Sequence, residues 1–125
     1  MSGIVGTSHS KSKVIGRSKD TAKAWVSFDG TTNSGGNCTI NDDFNLSSVT
    51  DESTGRYNIN FATNMANANY CFVGTARYNN AVWPFALLSP TSNDTKTTST
   101  FRVGCGLSGQ NWLDCPEVCV AVFGD

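Results

Sequence analysis

The chain has 125 residues, a formal net charge of −1 and only 15% charged residues. That length suits one hydrophobic core and excludes two. Ser, Thr, Asn and Gly stand where the exposed faces of helices would carry Glu, Lys and Ala, so the composition points to short strands and turns. No apolar run approaches a membrane span, and the apolar pairs near the start are too short for a secretory leader. The expectation is a protein made in a cytoplasm, not exported by that route and not inserted in a membrane.

The first segment is "MSGIVGTSHSKSKVIGRSKD". Residues 1–23 carry five bases against Asp20, a net of +4, and the rest of the chain carries four bases against nine acids, a net of −5. A basic arm on an acidic body is expected to meet something acidic. Nucleic acid is disfavoured by the lack of aromatic or arginine clustering in the arm, and an acidic protein surface fits better. Two apolar beads, Ile4-Val5 and Val14-Ile15, sit beside glycines about ten residues apart. The reading is an extended arm over 1–21 and one head domain over 22–125.

Strand patterns follow in order. Residues 22–28 alternate, with Ala24, Val26 and Phe28 on one face and Trp25 on the other. Residues 29–37 read as a loop, 38–40 as a short strand and 44–50 as a strand with Phe44 and Leu46 on one face. Residues 51–55 read as a hairpin loop with Gly55 in a positive-φ position. Residues 56–63 set Tyr57, Ile59 and Phe61 against Arg56, Asn58 and Asn60, the pattern of an antiparallel strand with one wet face. Strands are also expected at 70–78, 81–88 (with Pro84 at an edge or bulge), 96–107 and 117–124. The fold class is all-β, an antiparallel β-sandwich of about 7–8 strands.

Chemistry is sparse. His9, in the arm, is the single histidine, so a Ser-His-Asp arrangement has no fixed base. Asp42-Asp43 and Asp51-Glu52 are adjacent pairs that point to opposite faces and read as turn residues. The five cysteines show no zinc spacing and read mostly as buried free thiols; if any two pair, Cys105 and Cys115 are the ones expected to, closing the Gly-rich loop between them. Sequons at Asn37, Asn45 and Asn93 are discounted with no leader in view. No catalytic residue, metal or cofactor is expected. Trp25 and Trp83 read as packing residues. Trp112, among Gln110, Asn111 and Asp114, reads as a loop aromatic able to stack on a sugar ring or fill a subunit contact.

The stretches "AKAWVSFDGT", "DDFNLSSVTDESTGRYNINFATNMANANYCFVGTA" and "VCVAVFG" resemble the distal β domain of tail fibres and tailspikes of tailed bacteriophages, those of aquatic and cyanobacterial hosts in particular. The resemblance is good over 22–79 and loose over 96–124. The chain departs from it at Ala66, where the family often has Pro after the Met. It implies a β-sandwich that forms a homotrimer on the virion exterior, fibre members that recognise host-surface glycans or proteins, and no catalytic residues. The chain shows an arm of at most ~70 Å in place of a fibre shaft. That suggests a capsid decoration (cement) protein, made in the host cytoplasm and held on the major capsid protein by the arm residues Ile4, Val5, Lys11, Lys13, Val14, Ile15, Arg17 and Lys19. The alternative is a receptor-binding tip or adaptor on the tail that recognises host glycans, with the loop of Trp112 as the ligand surface.

Overall fold

The computed structural model describes residues 21–78, 96–106 and 112–124, and the backbone of 86–88. The arm residues 1–20, Trp83, Pro84, Gln110 and Asn111 lie outside the described residues, and with them every arm position expected to anchor the chain. Among the described residues the chain is all-β. The strands are β1 (Ala22–Ser34), β2 (Asn37–Phe44), β3 (Leu46–Ser53), β4 (Arg56–Phe61), β5 (Cys71–Arg77), β6 (Ala86–Leu88), β7 (Thr100–Gly106) and β8 (Glu117–Phe123).

They form one antiparallel sheet in the order β5-β8-β1-β2-β3-β4-β7-β6. β2 and β3 pair through Asn37 and Thr50 alone. The edge strands β5 and β6 approach each other, so the sheet curls round until it is nearly closed. The strands β5-β8-β1-β2 lie across one core from β3-β4-β7-β6.

The alternating apolar residues of both halves meet between them. Ala24, Val26 and Phe28 of β1 and Val118, Val120 and Val122 of β8 are buried against Val49 of β3, Tyr57, Ile59 and Phe61 of β4, and Phe101 and Val103 of β7. Aromatic rings cross the gap edge-on or stacked, Phe28 on Tyr57 at 5.1 Å and Phe72 on Phe101 at 4.7 Å between centroids. Such pairs add to the burial of their area.

Several boundaries differ from the sequence pattern for physical reasons. β1 runs on through 29–34, because its backbone pairs with β2 and the hairpin closes only at Gly35 and Gly36, both at positive φ. The expected strand 44–50 is broken at Asn45, whose φ of 60° turns the chain out of β2 and into β3. Phe44 and Leu46 thus belong to different strands. Asp42-Asp43 and Asp51-Glu52 lie within β2 and β3 and are not turn residues. Residues 96–99 precede β7 as a turn in which the Thr97 hydroxyl accepts from the backbone of Ser99 and Thr100. Gly55 has the positive φ expected of it.

Candidate functional site

Two places gather the residues that the sequence singled out or left unexplained. The first is the return segment 112–115. Trp112 bridges Gly106, and its ring covers Gly104 so closely that a Cβ there would overlap it. The Arg56 guanidinium lies 5.9 Å from the ring centroid. Leu113 donates its N–H to the Cys105 carbonyl at 3.0 Å.

Asp114 faces inward from this segment. Its Oδ1 accepts the Gly55 N–H at 2.7 Å and lies 3.1 Å from the Tyr57 hydroxyl, which is 3.0 Å from the Gly30 carbonyl. Burial first, and then the Asp114 charge, push the Tyr57 phenol far above its ordinary range, so it stays a neutral donor. Gly30 is required here, since a Cβ would overlap that hydroxyl and the Cys115 carbonyl. Trp112 is half-buried and Asp114 is committed to the β3–β4 turn and to Tyr57 of β4. Their geometry is that of a clasp over the end of the fold. Gln110 and Asn111, the other members of the expected ligand loop, lie outside the described residues.

The five thiols are free. Cys38, Cys105 and Cys115 are buried as expected, whereas Cys71 is exposed and Cys119 half-exposed. Apolar neighbours in sequence misled there, because both sit on the outward side of their strands. Cys105 hydrogen-bonds Cys115, and that bond together with burial holds the Cys105 thiol well above its ordinary range. Burial, with Asp51 next, pushes Cys38 up to about 12.

The second place is the outer face of β5-β8-β1-β2. Trp25 stands opposite Phe44 on one side and Ala121 on the other, and Ala121 stands opposite Val73. The four residues make a row across four strands. Trp25, read as a packing residue on the face opposite Ala24 and Val26, is 38% exposed; Phe44 is 53% and Val73 56% exposed. Val73, Ala121 and Trp25 of the row, with Cys119, Ser27 and Thr75 beside them, line a shallow apolar groove of about 360 Å³.

The arm emerges at one end of this face. Thr21, Ala22, Lys23, Phe44, Asn45 and Thr63 bound an open hollow of about 430 Å³. Asn45 sets its position: its Nδ2 donates to the carbonyls of Lys23 at 3.2 Å and Thr63 at 3.1 Å, and its Oδ1 accepts the Thr63 N–H at 2.7 Å. In the sequence Asn45 stands out only as a sequon. An Asn between two strand-like runs is nonetheless a signal for the left-handed region.

No group of three or more His, Cys, Asp or Glu among the described residues could hold a metal ion. Comparisons with family models, with curated proteins and with solved structures found no match.

Proposed function

We propose that the chain is a structural protein of a tailed-phage virion, a trimeric decoration protein seated on the outer shell and tied to the major capsid protein by its basic arm. The observation that carries this reading is the joining of a segment of net charge +4 to a small β head of net charge −5, the arm starting beside a face that carries an open apolar groove. Opposite charge steers and orients such a contact, while each exposed ion pair contributes only ~0–1 kcal/mol. Burial of Ile4, Val5, Val14 and Ile15 contributes more, ~1.5–3 kcal/mol for each fully buried side chain. Three arms on one trimer multiply a weak contact by avidity. The resemblance of 22–79 to fibre domains supports the virion exterior as the location.

Copy number tests the reading. Quantitative mass spectrometry of purified virions is expected to find hundreds of copies, and removal of residues 1–21 to leave a folded head that no longer coats capsids. About a dozen copies would place the protein on the tail instead, as a receptor-binding tip that takes host glycans. Absence from virions, or full decoration by the truncated head, would end the capsid reading.

A further inference from the structure

We infer that in the free protein the arm folds back on its own head, with Ile15 seated in the groove beside Trp25 and with Lys13 and Lys11 running on past Asp42 and Asp29. The inference concerns the free chain and stands whether or not the protein belongs to a virion.

The size of the groove selects the occupant. The groove crosses two strand spacings, from Val73 through Ala121 to Trp25, about 10 Å, and runs about 7 Å along the strands, from Val73 to Thr75 and from Trp25 to Ser27; Phe44 extends the row by one more strand. An area on the order of 100 Å² is well below the ~800 Å² that each partner contributes to a stable protein interface. It matches one short extended segment with a single apolar side chain at its centre.

Reach and charge select which segment. Trp25 lies four residues into β1 from Thr21, about 13 Å. Ile15 lies six residue steps before Thr21, a span of up to ~20 Å, enough to reverse direction and return. Gly16, Ser18 and Asp20 are turn formers within that stretch. Residues 15, 13 and 11 share one face of an extended arm. On the outer side of the head the order is Trp25, then Ser27 opposite Asp42, then Asp29. An arm laid antiparallel to β1 therefore sets its apolar residue on the apolar row and its two lysines beside the two carboxylates. Lys23, the base at the exit, is left behind. The thiols of Cys119 and Cys71 lie on the same face and report on the fit.

Two measurements on the full chain test this. Trypsin at low salt is expected to cut after Lys11 and Lys13 about tenfold more slowly in the parent than in Ile15→Ser or Asp42→Lys, with the difference lost at high salt. Equal rates in all three would overturn the inference. For position, Ile15→Cys is oxidised with glutathione disulfide at low protein concentration and the products mapped by mass spectrometry, with Ser2→Cys as control. An intramolecular link from position 15 to Cys119 or Cys71, well above the control, is expected. No link above the control, or links only between chains, would overturn it, the latter by showing that the groove takes a neighbour's arm. Because decoration of capsids enters neither assay, the virion reading fails or stands separately.

Discussion

The two halves of the folded sheet share one core and differ on their outer faces. On β3-β4-β7 the outer face is a polar network. The Asn60 amide donates to the hydroxyls of Ser48 and Thr50 at 3.0 and 2.9 Å and accepts from Thr100 at 2.9 Å. Asn58 accepts from Arg102 at 3.0 Å and donates to Glu52. On β5-β8-β1-β2 the corresponding positions are Val73, Ala121, Trp25 and Phe44. The first face satisfies its own side chains and gains little from a partner. The second leaves apolar area in water and gains by covering it. A contact surface is therefore to be sought on the second half alone.

The largest expected effect strikes what the halves share. Phe101→Ala removes a fully buried ring that touches Phe61, Tyr70 and Phe72 from both halves. It should cost ~3–5 kcal/mol in denaturant unfolding, and a loss below about 1 kcal/mol would mean that the halves are held together elsewhere. Gly30→Ala should be almost as severe, ~1–3 kcal/mol or more, by driving a methyl into Tyr57 and the Cys115 carbonyl.

Alkaline titration sharpens the same point. Burial pushes Tyr70 up to about 12, and Cys38 up to about 12 with the help of Asp51. In the unfolded chain these groups lose their protons near 10 and 9. The unfolded state is thus favoured as pH rises from about 9 to 12, and the stability present below that window is lost across it. Each unit crossed costs ~1.4 kcal/mol per group. The melting temperature should be level from about pH 7 to 8.5 and fall steadily above, and a flat profile to about pH 11 would contradict the buried placement. Added reductant at neutral pH should leave the melting temperature unchanged, since the thiols are already free. A lost disulfide would announce itself by ~2–5 kcal/mol.

The outer faces themselves give the smallest effects and the clearest contrast. Asn60→Ala should cost about 1 kcal/mol, one net hydrogen bond's worth, because water replaces part of what is lost at a half-exposed site. In a chain lacking residues 1–20, Trp25→Ser together with Val73→Ser should change stability by less than about 0.5 kcal/mol. The same pair should abolish binding of a hydrophobic dye to the head. A large destabilisation would place Trp25 in the core after all.

The alternations at 22–28 and 56–63 were legible in the sequence because a pleated strand with one buried face writes its burial directly into every second residue. The all-β class, the positive φ of Gly55 and the charge asymmetry of the arm were legible too. The ends of β1 and β2 were not, since hydrogen bonding between backbones carried them through polar residues that no periodicity marks. Nor was the turn at Asn45, where a single left-handed residue divides what reads as one strand. Trp25 shows the limit most plainly. Alternation put it opposite Ala24 and Val26, but whether that outer side was covered depended on which strands lay beside β1. Only the pairing with β8 and β2 set Ala121 and Phe44 next to it and left the row open. Asp114 is the converse: a polar loop residue in sequence, drawn inward because Gly55 and Tyr57, nearly sixty residues away, needed an acceptor that the sheet ladder did not supply.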